Sequence, residues 1–159
     1  MSSLTPRDLS PGPTTLRVRE EALAAIHDHA RRGFPYEVVG ILAGKRDGLE
    51  VSHAQALENE KAGEDAARRF KVDGLTVLRA EMALAARGLE VVGYYHSHPD
   101  HPANYSDTDL AMALPDTSYL ITAVQGDTDA GPTIVDTRSW RLAEDRSHMH
   151  HEPIELATT

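Results

Sequence analysis

The chain has 159 residues, 40% hydrophobic and 26% charged, which fits one soluble domain with a real core. Its net charge of −9 and pI near 5.4 speak against nucleic acid or an anionic membrane surface as partner, and no apolar run is long enough to span a bilayer. Cysteine is absent, which removes disulfides, a cysteine nucleophile and every thiolate metal site, including the cysteine-held zinc of nucleobase deaminases.

The first eight residues lack the apolar stretch of a signal peptide, so a cytoplasmic location is the expectation. Residues 1–14 are rich in Ser, Thr and Pro and are read as a flexible lead to a single domain over 15–159. Leu16–Val18 reads as a short strand. Glu20–Arg32 carries Leu23, Ile26 and Ala30 at helical spacing, filled in by Ala24 and Ala25, and Gly33 is a stop. His27 and His29 on that helix are read as exposed. Glu37–Gly44 is an apolar strand, Lys45–Gly48 a turn and Leu49–Leu57 the hairpin partner. Glu58–Arg69 is charged and irregular and is read as a solvated loop. Phe70–Val72 looks like a short strand. Asp73 then caps a helix running to about Arg87, with Leu75, Leu78, Met82 and Ala85/Ala86 on one face and Gly88 as its end. A strand follows over Glu90–His98, then a loop to Tyr105 and a short helix over Ser106–Leu114. Tyr119–Val124 is a buried strand. Thr133–Val135 and Ser139–Leu142 read as short paired strands around Asp136–Arg138, and Pro153–Leu156 as a last edge. Strands and helices interleave, which predicts an α/β fold: a single-domain mixed sheet with helices packed on it.

The densest chemistry lies in Tyr95-His96-Ser97-His98-Pro99 and Ser106-Asp107-Thr108-Asp109. Residues two apart on a strand share a face, so His96 and His98 aim at one point while Ser97 turns away. Ser106 followed by Asp109 also reads as a helix N-cap with an acidic first turn. A helix start is a rigid place to hold a carboxylate. His96, His98 and Asp109 therefore form a candidate zinc triad with one position open for water. Glu37 heads a buried strand, where an unpaired carboxylate is costly. Beside a metal-bound water it has a use as general base.

Glu37, His96-Ser97-His98-Pro99, Ser106 and Asp109 together resemble the JAMM (MPN-plus) metalloprotease motif, complete at each chemically necessary position. The likeness extends over roughly Val18–Leu156. One position departs: Tyr105 precedes the motif serine where many short relatives have proline. The resemblance implies a twisted mixed sheet of cytidine-deaminase-like topology and one zinc per chain. It implies a short prokaryotic-type isopeptidase that cuts after the C-terminal Gly-Gly of a ubiquitin-like or sulfur-carrier protein. In that reading Glu37 is the base and Ser106 donates to the oxyanion. Two other functions stand beside it: a zinc hydrolase of a small peptide-like metabolite, and a non-catalytic interaction scaffold. Of the remaining histidines, His53 and His101 are read as hairpin and loop-surface residues, and His148, His150 and His151 as a solvated edge.

Overall fold

The computed structural model describes residues 7–58 and 73–158. Most of the expected loop over Glu58–Arg69, and the expected strand at Phe70–Val72, lie outside them. Among the described residues, eight strands form one mixed sheet in the order β7-β6-β5-β4-β2-β3-β1-β8. Their ranges are β1 Leu16–Arg19, β2 Val39–Lys45, β3 Glu50–Leu57, β4 Glu90–Pro99, β5 Ser118–Gln125, β6 Thr133–Leu142, β7 Met149–Glu152 and β8 Ile154–Ala157. The helices among the described residues are α1 Glu20–Gly33, α2 Gly74–Ala86 and α3 Asp107–Met112. None of them is long and apolar enough to cross a membrane.

Helix α1 covers one face. Its Ala22, Ile26 and Ala30 recur every four residues and pack with Val38, Leu42, Val92, Tyr95, Leu120 and Val124. Ala24 and Ala25 face solvent instead. His27 and His29, expected to be exposed, are half-buried. His27 Nε2 shares a hydrogen bond of 2.9 Å with Thr137 Oγ1, and His29 Nδ1 one of 2.7 Å with Tyr95 Oη. The Tyr95 ring lies so close over Gly40 that a Cβ there would meet it at 2.1 Å.

Among the described residues, the opposite face carries two separate coverings. Leu84 of α2, flanked by Val77 and Ala80, packs on Val39, Ile41, Ala43 and Leu57. The face that carries Leu75, Leu78, Met82 and Ala85/Ala86 turns away from the sheet, with the first three 50%, 52% and 63% exposed. The helix reads Leu-Thr-Val-Leu-Arg-Ala-Glu-Met-Ala-Leu-Ala-Ala after its first glycine. It is apolar nearly all round, so periodicity alone does not choose the packed side. Gly88 stops it at a φ of 77°. On the other side of that face, Tyr105, Ala113, Ile121, Ala123, Trp140 and Met149 form a second cluster.

Two further expectations are corrected. Residues 133–142 are one strand, not a hairpin, paired with β5 along its length. Asp136-Thr137-Arg138 holds no glycine or proline to bend the chain, and Thr137 Oγ1 shares a hydrogen bond with Thr122 Oγ1 at 2.8 Å. The histidine-bearing edge is strand β7, with Met149 and Glu152 buried. Glu152 accepts from Ser139 Oγ at 2.7 Å and Thr14 Oγ1 at 2.6 Å, which makes its burial tolerable. Within residues 7–14, Gly12 N–H donates to His151 O at 2.8 Å and Pro11 bridges His151. Composition gave no sign of these contacts.

Candidate metal centre and active site

The site forms where β4 ends. Strands β4 and β5 run parallel, so the chain must cross back over the sheet between them. That crossover contains the 100–106 loop and α3, and it returns Asp109 to the end of β4.

His96 and His98 sit on one face of β4, opposite Val39 and Ala123 in the neighbouring strands. Both are 5% exposed, and their Nε2 atoms approach to 3.2 Å. His98 Nδ1 lies 2.7 Å from Pro102 O. Only an N–H there can satisfy a carbonyl, so the Nε2 lone pair faces the site. Ser97 points the other way and acts as a clamp. Its Oγ accepts from Val38 N at 2.9 Å, and its N–H donates to Val38 O at 3.0 Å. This pair fixes the start of β2 against the end of β4 and so places Glu37.

Ser106 and Asp109 form a reciprocal capping box at the start of α3. Ser106 Oγ accepts from Asp109 N at 3.0 Å, and Asp109 Oδ2 accepts from Ser106 N at 2.8 Å. Asp109 Oδ2 is 3.6 Å from His96 Nε2. One ligand atom each from His96, His98 and Asp109 falls within 4.8 Å of the others, and among the described residues no second such group forms.

The electrostatics suit a cation. Burial opposes charge on His96, but Asp109 and Glu37 outweigh it and raise the imidazole's pKa. Burial also opposes the charge of Asp109, yet His96, the Ser106 amide and His98 hold its carboxyl well below the usual range. Burial, with His96 beside it, lowers His98 to about 4, so its ring is a neutral donor at pH 7. Burial pushes the Glu37 carboxyl up to about 8, with His96 opposing and Asp109 adding. Two nitrogens and a carboxylate oxygen around one point are an ordinary donor set for zinc, and these residues fit it.

The structure thus brings together all five residues that sequence singled out. It adds several that sequence missed. Trp140 Nε1 donates to Ala103 O at 3.0 Å, and Arg138 Nη1 to Asn104 Oδ1 at 3.2 Å, both anchoring the loop. Neither anchor has a local sequence signal, because each joins residues far apart in the chain. His101, expected on the loop surface, is half-buried and packs edge-on against His98 with centroids 6.5 Å apart.

Residues 19–143 match the family described as prokaryotic homologs of the JAB domain. The chain belongs to that family. It is 34% identical over 116 residues to desampylase of Haloferax volcanii, spanning 70% of this chain and 82% of that one. It is 36% identical over 98 residues to a probable TtuB-protein conjugate cleaving protease of Thermus thermophilus, spanning 62% and 63%. The deubiquitinase MYSM1 of Mus musculus is 31% identical over 112 residues, but those residues span only 13% of its length against 68% of this chain. A solution structure of a Desulfitobacterium hafniense protein superposes with a TM-score of 0.72 at 27% identity, covering 91% of this chain and 94% of that one. The JAB-family mixed α/β fold is therefore that of this chain.

Proposed function

We propose that this JAB-family protein is a zinc-dependent hydrolase of peptide and isopeptide bonds, acting in the cytoplasm after the C-terminal Gly-Gly of a small ubiquitin-like or sulfur-carrier protein. One observation carries the chemistry: His96, His98 and Asp109 converge within 4.8 Å, next to Glu37, whose carboxyl burial pushes up to about 8. The names of the Haloferax and Thermus relatives, a desampylase and a conjugate-cleaving protease, support the substrate class.

His96, His98 and Asp109 would hold the ion. Bound there, zinc supplies a Lewis acid for the scissile carbonyl and lowers the pKa of a water. Glu37 takes the proton of the attacking water and passes it to the leaving amine as the C–N bond breaks. Its raised pKa suits it to both halves of that transfer. Ser106 Oγ already accepts the Asp109 amide proton. Its own hydroxyl proton is then available to donate to the developing oxyanion. His98 is held in the tautomer that keeps Nε2 a donor of electrons by the Pro102 carbonyl. A glycine tail suits the approach, since it enters extended and brings no side chain beside the cut.

The deciding experiment is incubation of the zinc-loaded protein with a cognate carrier extended beyond Gly-Gly, read by mass spectrometry. Release of the extension with a new C-terminal glycine is expected. Cleavage elsewhere, or none of any cognate carrier, overturns the assignment. Turnover of a dipeptide alone would favour the small-metabolite hydrolase.

A further inference from the structure

Four residues of the 100–106 loop are anchored from three parts of the molecule: strand β4, strand β6 and the segment before β1. Pro102 O receives His98, Ala103 O receives Trp140, and Asn104 Oδ1 receives Arg138. The fourth anchor comes from the opposite end of the sequence. Arg7 Nε donates to Tyr105 O at 3.1 Å, and Arg7 Nη2 to Asp107 Oδ1 at 3.2 Å. The same guanidinium lies 4.2 Å above the Tyr105 ring. Tyr105 in turn packs edge-on against the fully buried Trp140, with centroids 5.0 Å apart. Arg7 thus grips the residues on both sides of Ser106.

We propose that Arg7 is a positioning residue for the hydrolytic site, holding Ser106 and Asp109 in register with the two histidines through Tyr105 and Asp107. Three observations carry it. The Arg7 side chain is 17% exposed, so it packs against the loop and is not merely near it. Its planar fork meets a backbone carbonyl, a carboxylate and an aromatic face at once, which a lysine ammonium cannot do. And the segment that presents it is docked: Gly12 N–H donates to His151 O, and a Cβ on Gly12 would meet His150 Cβ at 2.7 Å. Residues 7–14 are therefore built into the site through strand β7 and the 100–106 loop. The capping box fixes Ser106 relative to Asp109, but both ride on α3, a helix of six residues. So short a helix needs holding from outside its own turn.

The test uses the full chain with Arg7→Met, Arg7→Lys and Gly12→Val. Three quantities are read: zinc affinity by chelator competition, Tm of the chelated protein, and kcat and KM on the extended carrier. The activity readout rests on the hydrolase reading, whereas the zinc readout does not. Support for metal ligands typically changes affinity ~10–100-fold, so Arg7→Met should weaken zinc binding by about tenfold. It should lower kcat with KM nearly unchanged, because the loop acts on Ser106 and not on the bulk of the carrier. Arg7→Lys should recover part of both losses. Gly12→Val should reproduce the Arg7→Met pattern from a distance, by pushing the segment off β7. A lowered Tm with unchanged zinc affinity and kcat would reduce Arg7 to a structural contact and overturn the assignment, as would no change in any quantity. If Arg7→Met does not fold, Arg7→Lys and Gly12→Val decide in the same way. If the parent cleaves no carrier, the proposed function fails while zinc affinity still judges Arg7.

Discussion

The chain contains the pattern His-x-His three times, and the backbone beneath each pair decides what it can do. His27 and His29 lie on α1, where two residues amount to more than half a turn. Their rings diverge, one to Thr137 and the other to Tyr95. His96 and His98 lie on β4, where two residues return to the same face, and their Nε2 atoms meet at 3.2 Å. His148 and His150 also come close, with centroids 4.8 Å apart, but the metal-capable group among the described residues contains neither. Convergence alone is insufficient. What distinguishes the β4 pair is a carboxylate delivered by a capped helix and a second one buried alongside.

The sharpest way to break this comparison is to remove that second carboxylate. Glu37→Gln keeps the shape and loses the proposed base. General-base catalysis contributes ~10²–10⁴-fold, so carrier cleavage should fall by at least that order while bound zinc stays at one per chain. Near-normal turnover in this variant would place the base elsewhere. Next comes the metal itself. His96→Ala with His98→Ala should leave no zinc by elemental analysis of untagged protein, whereas His148→Ala with His150→Ala should leave it unchanged. Point substitutions are the right probe at the second pair, because cutting the chain before His148 would remove β7 and β8 from the sheet. Zinc that survives the β4 double variant would refute the ligand set.

Ser106→Ala should cost less than Glu37→Gln, on the order of 10²-fold in kcat, as for other lost oxyanion donors. It also removes half of the capping box, a loss of about 1 kcal/mol in stability by denaturant titration. The two effects separate in Ser106→Asn, since asparagine can cap the helix without presenting a hydroxyl. Recovered stability without recovered kcat is the expected result. Recovery of both would reduce Ser106 to a cap.

The site was more legible than the packing, for a physical reason. The histidines, serine and aspartate all lie between positions 96 and 109, and their geometry follows from strand alternation and one helix cap. Glu37 is distant in sequence, yet a carboxylate heading a buried strand is conspicuous by its cost. Helix α1 was also readable in outline, because its apolar stripe is narrow. Helix α2 was not: Leu75, Leu78 and Met82 have the right spacing, but so do Val77, Ala80 and Leu84, and only the sheet beneath chooses between them. Strand β7 was hidden because its histidines look solvated. Its burial depends on Trp140, Ser139 and Thr14, which reach it from other elements.

The smallest expected effect tests the first histidine pair. Burial lowers the pKa of both His27 and His29. Arg31 adds to the shift at His27, and Arg32 adds to it at His29, where Asp28 opposes. The folded protein therefore favours neutral rings. As pH falls through the unfolded value of 6.5, the unfolded chain takes up protons that the folded chain resists. The unfolded state binds more protons, so stability falls as pH drops and is fully present above that value. His27→Gln with His29→Gln can keep hydrogen bonds to Thr137 and Tyr95 without titrating. Urea midpoints of the chelated protein measured between pH 8 and pH 5 should decline less steeply in this variant than in the parent. Parallel curves would mean that the two rings charge as freely in the folded chain as in the unfolded one. The contrast with the β4 pair would then rest on direction alone and not on the protonation each backbone enforces.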